Sequence, residues 1–84
     1  MKREEIYLVY CIQSEIDSEK YYVGLTTNIA IRLEEHNAGE SLSTKSFRPW
    51  KLIVCVMFYD ICKAEKFEKY LKTGSGRIFC KKHF

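Results

Sequence analysis

Two adjacent tyrosines, a β-branched residue and a glycine, Tyr21-Tyr22-Val23-Gly24, close a strand-forming run, and Thr26-Thr27-Asn28 follows at once with the residue types that start helices. A strand that ends in glycine and turns straight into a helix makes a corner where polar groups converge. The preceding apolar run, residues 6–12 (Ile-Tyr-Leu-Val-Tyr-Cys-Ile), is too short for a helix and rich in strand formers, so it reads as a buried strand. Its alternation puts Leu8, Tyr10 and Ile12 on one face and Tyr7, Val9 and Cys11 on the other. Residues 13–19 are polar and form a loop, and the second strand spans 20–25. A connection this short makes the two strands an antiparallel hairpin.

Residues 27–37 read as a helix, with a threonine as N-cap and Asn37-Ala38-Gly39 as the stop. Ile29 and Leu33 define its core stripe; Arg32 and His36, four apart, share one flank, while Glu34 and Glu35 project elsewhere. Taken singly, Arg32 is an arginine snorkelling past the core and His36 a histidine favoured by the helix C-terminus. Pro49 cannot sit inside a central strand, so it marks the start of the third, residues 51–59, which crosses over to pair with the first.

Asp60 caps a second helix running to about Lys72, with Ile61, Ala64, Phe67 and Leu71 as its buried face. Glu68 falls within or beside that apolar stripe. A carboxylate turned towards the core is costly unless it is paired or binds a metal. Residues 73–77 (Thr-Gly-Ser-Gly-Arg) break this helix, and residues 78–84 form a short final one. The glycine-rich piece lacks the spacing of a phosphate loop.

At 84 residues the chain holds a single domain, residues 1–84, with 46% apolar and 30% charged residues, the balance of a folded soluble domain. The N-terminus leads into a strand and not a signal-peptide apolar region, and no run is long enough to cross a membrane, so a cytoplasmic protein is expected. Cys11, Cys55, Cys62 and Cys80 contain no C-x-x-C pair and read as free thiols, and zinc on Cys80 and His83 lacks a second closely spaced pair. Residues 1–60 carry seven Lys/Arg against nine Asp/Glu, whereas residues 61–84 carry seven against two. A basic third segment on a slightly acidic body suits a phosphate-rich partner, or a solvated lysine-rich helix face.

The element order is strand, strand, helix, strand, helix. Tyr10, Tyr22, Arg32, His36 and Glu68 are placed to meet on one face of a small antiparallel sheet. Such groups suit phosphodiester hydrolysis, which needs a Lewis acid, a base for the attacking water, and positive charge for the transition state. One carboxylate suffices to anchor a hydrated Mg²⁺.

These residues also resemble a known family over nearly the whole chain. Leu8-Val9-Tyr10 and Tyr22-Val23-Gly24 stand where the GIY-YIG nuclease superfamily has its two motifs. Thr26-Thr27-Asn28 and Arg32-Leu33-Glu34-Glu35-His36-Asn37 look like its helix signature. Arg48-Pro49-Trp50-Lys51-Leu52 and Glu68-Lys69-Tyr70-Leu71-Lys72 resemble later blocks of its small stand-alone members, which are similar to the N-terminal catalytic domain of the UvrC excinuclease. The resemblance implies an α+β (α/β sandwich) fold, a three-stranded antiparallel sheet flanked by helices in the order β-β-α-β-α-(α). It implies a metal-dependent endonuclease that nicks DNA, in repair or recombination, with Mg²⁺ or Mn²⁺ as cofactor.

Carried over by position, Glu68 holds the metal, Tyr22 is the general base or its partner, Arg32 clamps the scissile phosphate, Tyr10 orients water or phosphate, and His36 assists proton transfer. Lys72, Arg77, Lys81 and Lys82 contact the DNA backbone with little sequence specificity. The chain departs from the pattern at Leu8, where the family has glycine, at Val23, where it has isoleucine, and after Gly76, where no counterpart of a C-terminal asparagine follows. An unperturbed tyrosine has a pKa of ~10, so only about 0.1% is ionised at pH 7. Arg32 and a metal-bound water could lower that value, or His36 could receive the proton through Tyr22. Tyr22 touching the water with His36 as relay is the preferred arrangement. The competing reading is a non-catalytic nucleic-acid-binding module, with the same basic segment and tyrosines serving phosphate contact and base stacking.

Overall fold

The computed structural model describes residues 5–84 and shows an α+β fold in the expected order, β-β-α-β-α-α. Strand β1 (Tyr7–Ser14) lies in the middle of a three-stranded antiparallel sheet, between β2 (Tyr21–Thr26) and β3 (Trp50–Phe58). The apolar run in β1 explains its place, because a central strand covered on both faces needs no polar side. Val9, Tyr10, Cys11 and Ile12 are all buried, and β1 runs on two residues past the predicted end to Gln13 and Ser14. The buried Ser14 hydroxyl donates to Phe47 O at 2.6 Å, which gives a polar side chain its partner at the sheet end.

The predicted alternation divides the core in two. Val9 and Cys11 pack with Val23, Leu25, Val54 and Phe58 on one side of the sheet. That side is covered by α2 (Ile61–Leu71) through Ala64, Phe67 and Leu71, and by α3 (Gly74–His83) through Phe79 and Cys80. Burial, with Cys80 beside it, pushes the Cys11 thiol up to about 12, so it packs as a small neutral group. Tyr10 and Ile12 face the other way, against Tyr22, Trp50, Cys55 and the first helix, α1 (Ile29–Ala38), which contributes Ile29 and Leu33. Between Cys11 and Ile12 the β1–β3 register shifts: Cys11 pairs with Val54 and Ile12 with Leu52, so Ile53 is bulged out.

Two local details differ from expectation. The N-cap of α1 is Asn28, whose Oδ1 accepts from Ile31 N at 3.1 Å, while Thr26 makes the preceding turn by accepting from Asn28 N. Asn and Thr both cap well, and the path of the turn decides between them. Helix α1 stops as predicted, with Gly39 left-handed at φ 81.

The residues 73–77 do not separate α2 from a short helix but start α3 themselves. Thr73 caps it by accepting from Gly76 N at 3.1 Å. Gly76 is needed because a Cβ there would run into the Tyr70 carbonyl and Leu71 backbone, so the glycine serves close helix packing rather than a break.

Candidate active site

Helix α1 buries more than Ile29 and Leu33. His36 lies seven residues after Ile29, which returns it to the same stripe, and it is wholly buried instead of lying on the flank. A buried imidazole must have partners for both nitrogens. His36 Nε2 meets the Tyr10 hydroxyl at 2.8 Å, and Nδ1 meets Thr44 Oγ1 at 2.7 Å.

The bond directions are assigned from the two ends of the hydrogen-bonded chain, and Arg32 at one end can only donate. Its Nε donates to the Tyr10 oxygen at 3.2 Å. Tyr10 then has its own proton to give to His36 Nε2, which assigns the hydrogen of the neutral ring to Nδ1, facing Thr44. Thr44 Oγ1 in turn donates to the Ser41 carbonyl at 3.5 Å. Every member of the chain Arg32–Tyr10–His36–Thr44 thus points its proton the same way.

The electrostatics agree with that polarity. Burial, helped by the Arg32 charge and opposed by Glu35, holds His36 below the usual histidine value, so it is neutral near pH 7. Burial raises Tyr10 above the usual tyrosine value against the lowering effect of Arg32, and Tyr22 and Glu68 add to the rise. Tyr10 keeps its proton. Glu35, expected to project elsewhere, accepts from Arg32 Nη1 at 3.1 Å and fixes the guanidinium plane. Arg32 Nη2 has no protein partner among the described residues.

Tyr22 sits on the same side of the sheet as Tyr10. Its ring centroid lies 6.4 Å from that of Tyr10 and 5.1 Å from that of His36, edge-on to the imidazole. His36 hydrogen-bonds Tyr10 and Thr44, so the expected proton relay from Tyr22 into His36 has no hydrogen bond to run through. Gly24 makes room for Tyr10: a Cβ there would collide with the Tyr10 ring and hydroxyl. The space beside the second motif is filled by Tyr10, its partner across the β1–β2 pair, and not left open.

Glu68 comes to the corner from α2. Its side chain is 20% exposed and pairs with Lys72 Nζ at 3.3 Å, one turn further on. Lys72 Nζ in turn lies 5.9 Å from the Tyr22 ring centroid, which links Glu68 to the corner. No group of three His, Cys, Asp or Glu side chains converges among the described residues. The donor set fits a hard, hydrated cation held by one carboxylate and completed by water and substrate phosphate, rather than a protein cage. Lys72 is half exposed on a flexible stem and can leave Glu68 to such an ion.

Of the predicted site residues, the structure thus joins Tyr10, Arg32 and His36 by hydrogen bonds, adds Tyr22 by ring contact, and sets Glu68 beside them through Lys72. Arg77 and Lys81 line a groove between α3 and β2, whereas Lys82 is exposed and outside it. Sequence reasoning missed Thr44, one hydroxyl in a loop of similar residues with no local mark of its role. Its place is set by Trp50, whose Nε1 donates to Thr44 O at 2.8 Å. Trp50 is itself held by Asn37, which bonds its backbone N and O at 2.6 and 3.1 Å.

Comparisons with known proteins accord with this geometry. Residues 6–82 match the GIY-YIG catalytic domain. The chain is similar to a UPF0213 protein of Staphylococcus haemolyticus, 34% identical over 76 residues that cover 89% of this chain and 87% of that protein. A UPF0213 protein of Syntrophus aciditrophicus is 34% identical over 77 residues, 89% of this chain and 83% of that one. The structure-specific endonuclease subunit SLX1 of Chaetomium globosum is 36% identical over 69 residues, which cover 75% of this chain and 21% of that longer protein.

Proposed function

This chain belongs to the GIY-YIG catalytic domain family, and from that premise we propose that it is a metal-dependent endonuclease that nicks DNA by phosphodiester hydrolysis, acting in repair or recombination. The observation that carries the reading is the Arg32–Tyr10–His36 chain beside Tyr22, a buried polar network that presents one free guanidinium edge and one free phenol at the same corner.

In this reading Arg32 Nη2 holds a non-bridging oxygen of the scissile phosphate and steadies the charge that grows on it in the transition state. Tyr10 and Glu35 fix the plane of the guanidinium. The proton of Tyr10 is committed to His36, so of the two tyrosines Tyr22 is the one placed to take the proton of the attacking water. His36 acts through Tyr10 and is a positioning residue. Glu68 would hold Mg²⁺ or Mn²⁺, which when bound supplies Lewis-acid charge at the phosphate. Lys72, Arg77, Lys81 and Lys82 attract the DNA backbone without reading bases.

The test is conversion of supercoiled plasmid to the nicked form with Mg²⁺ or Mn²⁺, run beside Glu68→Ala. Nicking by the wild type that disappears in the variant supports the enzyme. Salt-sensitive DNA binding without nicking in either would assign the chain to the non-catalytic binding module instead.

A further inference from the structure

On the far side of Tyr22 from Arg32, the edge of β2 and helix α3 enclose a groove of about 600 Å³. That volume falls within the range of small-molecule sites, about 300–1,000 Å³. Its floor is apolar, made by Val23 and Leu71 with the thiols of Cys11 and Cys80, and the exposed Ile78 stands at its edge. Its rim carries Lys72, Arg77 and Lys81 against the single acid Glu19, while Lys20, which also lines it, holds its Nζ over the Phe47 ring at 5.1 Å. Tyr21 opens onto it, 38% exposed, with its hydroxyl oxygen held by Gln13 Nε2 at 3.1 Å. Glu19 and Lys81 pair at 2.9 Å between the β1–β2 loop and α3.

An apolar floor with an exposed aromatic face and a ring of cations fits a ligand that is flat and apolar at one end and anionic at the other. A nucleotide has that form. Paired bases turn inward and cannot offer a face to Tyr21, whereas an unpaired base can stack there while its phosphates meet the rim. The groove is continuous with the candidate active site, because Tyr22 and Lys72 belong to both.

We propose that the groove between β2 and α3 binds an unpaired nucleotide of the DNA substrate, next to the phosphate that is cut. The base stacks on Tyr21, and Arg77 takes its phosphate. Glu19 competes for Lys81 and holds that end of the groove until a phosphate displaces it. The proposal rests on the endonuclease reading for its substrate, but its binding step does not depend on catalysis.

The experiment uses the full chain in EDTA, so that binding is read without cleavage. Fluorescence anisotropy compares a labelled blunt duplex with the same duplex carrying a short single-stranded tail. The expected result is at least roughly 10-fold tighter binding of the tailed DNA, a ratio that falls to near one in Tyr21→Ala and Arg77→Ala and is kept in Tyr21→Phe. The salt slope for the tailed DNA should drop by about 0.7 in Arg77→Ala, the loss of one phosphate contact on a single strand. With 2-aminopurine as the first unpaired base, the wild type should quench its fluorescence on binding, a reading that needs no variant to fold.

Equal affinity for tailed and blunt DNA, or an unquenched 2-aminopurine, overturns the proposal. So does a tail preference that survives Tyr21→Ala. Plasmid nicking with Mg²⁺ is scored separately: tail preference without nicking keeps the groove and removes the endonuclease reading, and nicking without tail preference does the reverse.

Discussion

Tyr10 and Gly24 face each other across the β1–β2 pair, and the Tyr10 ring occupies the space where a side chain at position 24 would begin. The glycine of the second motif therefore sets where the tyrosine of the first sits, and through it where Arg32 and His36 are bound. Gly24→Ala should push the phenol off its hydrogen bonds and cost about 1–3 kcal/mol of overpacking. In a chain of this size each 1 kcal/mol lowers Tm by about 4–8 °C. A thermal melt showing no loss would mean that the sheet yields instead of the ring.

The two tyrosines should separate by assay. Tyr10→Phe leaves the buried His36 Nε2 without its donor, so stability should fall by about 1–3 kcal/mol in urea unfolding. Tyr22→Phe should melt like the wild type yet lose about 10²–10⁴ in nicking rate. A Tyr22→Phe protein with full activity would move the base to another group.

Glu68→Gln should abolish most nicking, by about a hundredfold or more, while stability changes by only about 0–1 kcal/mol, because its partner Lys72 is half exposed and screened by solvent. A large stability loss with modest loss of nicking would make Glu68 a structural residue.

Stability should also depend on pH through His36. Its folded value is depressed, so the unfolded state binds the proton more readily. The stabilisation is present above the unfolded value of ~6.5 and is lost as pH falls below it towards the folded value. Urea titrations between neutral and mildly acidic pH should show this decline in the wild type and a flatter profile in His36→Gln. Identical profiles would show that His36 is not the titrating group.

Arg32→Lys should not rescue nicking. A lysine offers one point charge where Arg32 reaches Tyr10, Glu35 and an anion from separate nitrogens. A loss of about 10²–10³ in rate, close to that of Arg32→Ala, is expected in the plasmid assay.

The sequence alone determined the elements and their faces. Alternation along β1 already divided Tyr10 and Ile12 from Val9 and Cys11, and the polar connection after it made the hairpin antiparallel. Asp60 and Gly39 marked helix ends through chemistry that lies within a turn of them. The ordered blocks around Tyr10, Tyr22, Arg32 and Glu68 pointed to the family. Each of these signals is local, so neighbouring residues suffice to carry it.

Tertiary structure decided what the side chains do for one another. His36 could be put back on the core stripe by its spacing from Ile29, but only packing shows that its partners are Tyr10, 26 residues away, and Thr44, 8 residues away across a loop. The role of Gly24 depends on the β1–β2 register, and that of Gly76 on how closely α3 approaches the end of α2. Whether Glu68 meets Lys72, and whether Lys72 reaches Tyr22, depends on how α2 lies against the sheet edge. Hydrogen bonds and close contacts act over about 3 Å, and residues far apart in sequence come within that range only when the sheet register and helix packing place them there.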